Sequence, residues 1–207
     1  MKQSDVSQAE IGATDDQMAR LSAYLELLEK WQAKINLVGK ETLDNAWRRH
    51  VLDSAQLMPY LQKHRADAPP VVADLGSGAG FPGLVLAILG VTDVHLIESD
   101  GRKAAFLAEA RRVTGARATI HNCRIEAYDG PPADVITARA LAPLVKLLEY
   151  ADAIGKPGAR AVFLKGRRWA DELTEAQTVW HIEHVHHPSL ADAASAALEI
   201  HVFRRHA

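Results

Sequence analysis

A glycine-dense turn, Asp74-Leu75-Gly76-Ser77-Gly78-Ala79-Gly80-Phe81-Pro82-Gly83, joins an apolar run to a helix-like pattern. The residues that lead into it, 71–75, read as a buried strand, and 81–89 read as a helix. Glycine lets the backbone turn tightly and approach a ligand closely. In an open parallel sheet, ligands bind outside the carboxyl ends of the strands. This stretch is therefore a strand–turn–helix unit with a candidate ligand site at its head.

The same alternation continues along the chain. Strands are predicted at 94–98, 118–121, 134–138 and 160–164. Helices are predicted at 102–113, along Leu141, Leu144, Val145 and Leu148, and around Leu173. Repeated βα units imply a mostly parallel sheet with helices on both faces. Two β-like runs, near 178–185 and 197–204, have no long helix between them, which suggests a closing hairpin and one antiparallel strand.

Before Pro69-Pro70 the pattern is helical. Thr14-Asp15-Asp16-Gln17 has the form of a capping box, and Met18, Leu21, Leu25 and Leu28 follow on one face. Gly39 interrupts this region. A second helix is expected over 43–60, with Trp47, Val51, Ala55 and Met58 on its stripe. The expected organisation is a loose tail at 1–14, an N-terminal helical lobe at 15–68 packed on the main domain, and a Rossmann-like α/β domain at 69–207.

The 207 residues suffice for one buried core with an added lobe. The single cysteine, Cys123, rules out a disulfide framework and fits a reducing compartment. The polar start, MKQSDVSQAEIGATDD, does not read as a signal peptide. No apolar run approaches the roughly 20 residues of a membrane helix. A soluble, cytoplasmic chain is expected. Formal net charge is −2. Nucleic-acid binders are usually basic, so any RNA contact here rests on a local basic face.

Spacing narrows the ligand. Dinucleotide enzymes favour G-x-G-x-x-G, whose last glycine packs the helix against the strand. Counted from Gly76, that position is Phe81; counted from Gly78, Gly80 and Gly83 fit. The D-x-G-x-G-x-G form, Asp74 to Gly80, resembles motif I of S-adenosylmethionine-dependent methyltransferases. No G-K-[ST] phosphate loop is present. An acidic residue is expected about 20 residues on, at the end of the second strand, to take ribose hydroxyls. Glu98 is placed there, and Asp100 is the better helix cap. After the third strand, Asn122-Cys123-Arg124-Ile125-Glu126 offers a carboxylate to an adenine amino group and a backbone N–H to a ring nitrogen. A solvated loop acid explains Glu126 equally well.

Five segments together resemble the RsmG (GidB) family of 16S rRNA guanine-N7 methyltransferases. They are Lys34-Ile35-Asn36-Leu37, Arg49-His50-Val51-Leu52-Asp53-Ser54, the glycine turn, Thr137-Ala138-Arg139-Ala140 and Leu164-Lys165-Gly166. The resemblance runs from about Leu25 to Gly166 and is poor in the histidine-rich C-terminal stretch. It implies a class I methyltransferase fold, S-adenosylmethionine as cofactor, and a guanine of the small ribosomal subunit or its precursor as target (position 527 in the family's usual count). It also implies cofactor contacts at Gly76, Phe81, Ile125-Glu126 and Arg139. With the motif reading, the expected cofactor set is Asp74, Gly76, Gly78, Gly80, Phe81, Glu98, Ile125, Glu126 and Arg139.

Guanine N7 carries a free lone pair, so no proton must leave before it attacks a methyl carbon. Positioning and a tuned field then suffice, without a general base. The chain has no Asp-Pro-Pro-Tyr or Asn-Pro-Pro-Tyr tetrapeptide of the kind that amino-group methyltransferases often carry. Arg139, at the end of the fourth strand, is assigned to positioning. The expected RNA contacts are Asn36, Arg49, His50, Lys165 and Arg167. A helix ion pair between Arg49 and Asp53 is the simpler account of that pair. His181, His184, His186 and His187 lack the partners of a zinc site, so no metal is expected. The competing readings are a methyltransferase for a small molecule or protein, a dinucleotide-binding protein, and a silent assembly factor with the same fold.

Overall fold

The computed structural model describes residues 6–62 and 69–206. A short helix, α1 (Gln8–Ile11), leads into α2 (Asp15–Gln32). A 3-10 turn (Lys40–Asn45) and a π-helical segment (Trp47–Leu52) follow, then α3 (Asp53–Ala55) and α4 (Met58–Gln62). Next come β1 (Val72–Leu75), α5 (Gly83–Ile88), β2 (Val94–Ile97), α6 (Gly101–Thr114) and β3 (Ala118–His121). The chain continues through β4 (Ala133–Arg139), α7 (Leu144–Ile154), β5 (Gly155–Lys165), α8 (Trp169–Gln177), β6 (Trp180–Pro188) and β7 (Ala196–Arg205).

The seven strands form one sheet in the order β3-β2-β1-β4-β5-β7-β6. All pairs from β3 to β5 are parallel, and β7 runs antiparallel to both β5 and β6. The expected mostly parallel sheet with an antiparallel closing strand is therefore present. The chain lays β1, β2 and β3 outward in one direction, then returns to place β4 on the other side of β1. That reversal opens a crevice at the carboxyl ends of β1 and β4, where open α/β sheets bind ligands.

Alternate residues of each strand point to opposite faces, and both faces are covered. Val72, Val94, Leu96 and Val162 pack beneath α2, α5 and α6, while Ala73, Leu75, Ile136 and Phe163 pack beneath α7 and α8. Leu21, Leu25 and Leu28 of α2 enter the first of these cores, so the N-terminal helices and the sheet share it. The capping box at Thr14 forms as expected, with Thr14 and Gln17 exchanging two hydrogen bonds.

Three expectations need correction. Within the expected loose tail, Ser7 caps α1, and Val6 and Ile11 are buried; residues 1–5 lie outside the described residues. The single helix over 43–60 is broken into four pieces. Ser54 Oγ donates back to the His50 carbonyl (2.6 Å), a bond that bends helices. Pro59 has no N–H to continue the ladder into α4. Leu141 was expected on the stripe of the following helix, but Pro143 caps α7 and leaves Leu141 in the loop before it. The linker before Pro69 lies outside the described residues over 63–68.

Candidate active site

Gly76, Gly78 and Gly80 adopt φ of 59°, 56° and 95°, a region that side-chain-bearing residues rarely enter. Beneath this turn Asp74 is fully buried. Thr137 Oγ1 donates to its Oδ1 (2.8 Å) and Ser77 Oγ donates to its backbone carbonyl (3.0 Å). Burial pushes the Asp74 carboxyl up to about 6, against the opposing pull of the Thr137 hydroxyl. The Gly78 N–H donates to Glu98 Oε2 (2.8 Å) and the Asp100 N–H to Glu98 Oε1 (2.7 Å). Glu98 is thereby fixed at the end of β2, and Asp100 caps α6 as the sequence suggests.

A cleft of about 360 Å³ opens beside the turn, lined by Gly76, Glu98, Asp100, Ile125, Glu126 and Leu141 among others. Of the expected cofactor residues, Gly76, Glu98, Ile125 and Glu126 face it. Gly78 holds Glu98. Asp74 supports the turn from below. Gly80 packs inward, where a Cβ would stand 2.9 Å from Leu84 Cβ and 3.0 Å from the Tyr24 hydroxyl. Phe81 and Arg139 do not line this cleft; Arg139 lines a second one, and Phe81 is buried behind it against Arg139 and His50.

That second cavity, about 660 Å³, is lined by Arg49, His50, Asp53, Arg139, Lys165, Glu172 and neighbouring residues. Arg139 Nη1 donates to the Arg49 carbonyl (3.0 Å), meets His50 Nδ1 (3.0 Å) and lies 3.5 Å from Asp53 Oδ2. Its guanidinium also lies 4.8 Å from the centre of the Phe81 ring, and His50 stacks on that ring at 4.8 Å. Burial, reinforced by the Arg139 charge, pushes His50 down to about 3, so the ring is neutral. The remaining bonds fix its tautomer. Arg139 has only protons to offer, so Nδ1 accepts. Nε2–H then donates to Thr42 Oγ1 (2.8 Å), whose own proton goes to the Gly39 carbonyl (2.6 Å). His50 is thus a neutral relay with both nitrogens engaged. Burial raises the Asp53 carboxyl against the pull of Arg139.

The basic residues expected to meet RNA are scattered. Arg49 pairs with Asp192 of the β6–β7 loop (3.1 Å), not with Asp53 four residues on. In a π turn the hydrogen bonds run between residues five apart, which takes the two side chains out of line. Lys165 is buried against Glu172 (2.5 Å) and the Ala142 carbonyl (3.0 Å). Arg167 is exposed outside the cavity, whose lining includes Arg168 instead. Asn36 accepts from Gln32 (3.3 Å) beside a separate depression.

Tyr24, Leu141, Glu172 and Asp192 are site residues that sequence reasoning missed. The Tyr24 hydroxyl donates to the Ala79 carbonyl of the glycine turn. Its only signal was its place beside Leu25 on the buried face of α2. Leu141 lines both cavities, and so does Ala140. The histidines of β6 have separate roles: His186 stacks on Trp169, and His187 stacks on Tyr60 and bonds Glu199. Among the described residues, no group of three or more His, Cys, Asp or Glu side chains is arranged to hold a metal ion. No described helix is long and apolar enough to cross a membrane.

Comparison with known proteins agrees with this layout. A family described as "rRNA small subunit methyltransferase G" matches residues 17–201. The ribosomal RNA small subunit methyltransferase G of Rhodospirillum rubrum is 53% identical over 192 residues, covering 93% of this chain and 94% of the relative. The protein of the same name from Gluconobacter oxydans is 47% identical, covering 90% and 94%. Among solved structures, magnesium protoporphyrin IX methyltransferase from Synechocystis PCC 6803 with bound SAH superposes with a TM-score of 0.59 at 12% identity, covering 90% and 99%. A ribosomal protein L11 methylase from Lactobacillus delbrueckii gives 0.56 at 18% identity, covering 73% and 77%. At such identities these structures share the fold.

Proposed function

The chain belongs to the rRNA small subunit methyltransferase G family, and from that premise we propose that it transfers a methyl group from S-adenosylmethionine to N7 of a guanine in 16S rRNA. The target is the guanine at position 527 in the family's usual count, presented by the small ribosomal subunit or its precursor in the cytoplasm. The observation that carries this reading is the meeting of two cavities at Ala140 and Leu141, one sized for a cofactor and one rimmed by Arg49, His50 and Arg139.

The first cleft fits the cofactor. Its volume falls in the range of small-molecule sites, roughly 300–1,000 Å³. The Glu98 carboxylate is acceptor-only and suits a pair of ribose hydroxyls. The 125–126 backbone and Glu126 suit an adenine edge, and the turn at Gly76 lets the main chain come close. The cofactor supplies an electrophilic methyl on a sulfonium. The protein's own task is alignment. Arg139 is locked by Arg49, His50, Asp53 and Phe81 before any substrate arrives, so its fork is preorganised. Both nitrogens of His50 are occupied and its ring is neutral, so it is not poised as a base. N7 chemistry needs none.

The test is incubation with labelled S-adenosylmethionine and small subunits lacking the modification, then borohydride and aniline cleavage, which cuts at N7-methylguanosine. Label at one cleavable guanine is expected, with a naked short hairpin a poor substrate. Cofactor binding without transfer to any RNA would move the substrate to a small molecule or protein.

A further inference from the structure

The loop from β4 to α7 contains Ala140 at φ 51°, the one non-glycine with positive φ among the described residues. That conformation is costly for a residue with a Cβ and persists where surrounding contacts impose it. One ion pair bonds the backbone of this loop at two points. Lys165 Nζ donates to the Ala142 carbonyl (3.0 Å) and lies 2.5 Å from Glu172 Oε2, and the same Oε2 accepts the Leu144 N–H (2.9 Å). The pair grips the loop on either side of Pro143, which has no N–H of its own. The side chains of Lys165 and Glu172 are 7% and 21% exposed, so water competes little for these bonds. The held loop presents Leu141, 38% exposed, at the junction of the two cavities. Leu141 also sits over Gly76, where an added Cβ would come 2.5 Å from its Cδ1.

We propose that Lys165 and Glu172 are a positioning pair for methyl transfer, clamping the 140–143 loop so that Leu141 forms the contact surface between methyl donor and target base. This rests on the methyl-transfer reading above and gives Lys165 a role other than RNA contact. Misplacing reacting groups by about 1 Å can cost about a hundredfold in rate without loss of binding.

The test uses the full chain and small subunits lacking the modification. Single-turnover rate, subunit affinity with its salt dependence, and amide hydrogen exchange over the 140–147 segment are measured together. Lys165→Met and Glu172→Gln should each slow transfer about 10- to 100-fold and speed exchange in the segment. Subunit affinity and its salt dependence should stay within about threefold of wild type, a small change on the scale of losing a phosphate contact. The double variant should be no slower than the slower single, Lys165→Arg should recover most of the rate, and Leu141→Ala should slow transfer without loosening the loop. Loss of subunit affinity with a flattened salt dependence and an intact saturated rate would make Lys165 a phosphate contact and overturn the proposal. Additive rate losses, or unchanged exchange, would overturn it too. If Lys165→Met does not fold, Glu172→Gln and Lys165→Arg carry the same comparison. Exchange reads the clamp even if the wild type methylates no RNA, which separates failure of this inference from failure of the activity.

Discussion

The glycine turn beside the smaller cleft is shaped by backbone close together in sequence. Three positive-φ glycines, one buried aspartate beneath them and one glutamate bonded to the Gly78 N–H define it. The neighbouring cavity is held by side chains from the π-helical segment, the ends of β4 and β5, α8 and the β6–β7 loop. The first arrangement is a local consequence of where glycine sits. The second exists only when distant stretches are folded together, so it depends on individual hydrogen bonds and ion pairs. Perturbations should therefore divide along that line.

The largest effect is expected at the centre of the assembled cavity. Arg139→Ala removes the partner of half-buried Asp53 and buried His50, and breaking such a pair costs about 3–5 kcal/mol. Urea melts should show a loss of that order, with transfer abolished. A loss below about 1 kcal/mol, the level of a surface pair, would mean the cavity is not held through Arg139.

Next in size is a pH effect that separates the two regions. The Asp74 carboxyl is raised from 3.8 to about 6, so the folded state binds more protons and stability falls as pH rises through that window. Asp74→Asn removes the fall. Relative to wild type, the variant should gain about 2–3 kcal/mol between pH 4 and 7 in thermal melts. His50 has the opposite sign. Its folded value of about 3 lies below the ordinary 6.5, so its contribution is full above 6.5 and is lost as pH falls toward 3. A His50→Gln variant should lose that acid-side slope and leave the Asp74 slope in place.

Smaller again is Glu98→Gln. It weakens the charge-assisted bonds that hold the glycine turn, and cofactor affinity should drop about tenfold, or about 1.4 kcal/mol. Calorimetry with S-adenosylmethionine reads this directly. Smallest are Arg49→Ala on the cavity rim and Arg167→Ala on the exposed surface outside it. Each should weaken subunit binding only a few-fold and reduce its salt dependence by about one counterion. A change in cofactor affinity from either would blur the division between the two regions.

The same division explains what the sequence could say. Short apolar runs and glycine spacing are local signals, so the strands, the turn, the place of Glu98 and the closing antiparallel strand were legible. The Thr14 capping box was legible for the same reason. The break in the 43–60 helix was legible only at Pro59, because the Ser54 back-bond and the π turn leave no periodic trace. Arg139, Arg49 and His50 could be named by resemblance, but not their partners. Asp192 lies about 140 residues from Arg49, and Glu172 about 30 from Leu144, on helices and loops whose docking no spacing rule gives. Lys165 shows the consequence: expected to meet RNA, it sits in a buried ion pair whose partner no spacing rule gives.

The central claim is that the site works by alignment, with no residue taking a proton from the base. Its most direct test is the single-turnover rate of methyl transfer to small subunits, measured from about pH 6.5 to 8.5 under saturating cofactor. The account predicts a flat profile, because the N7 lone pair is free throughout and His50 is already neutral. A rate that rises tenfold per pH unit over part of that range would reveal an essential general base and contradict it.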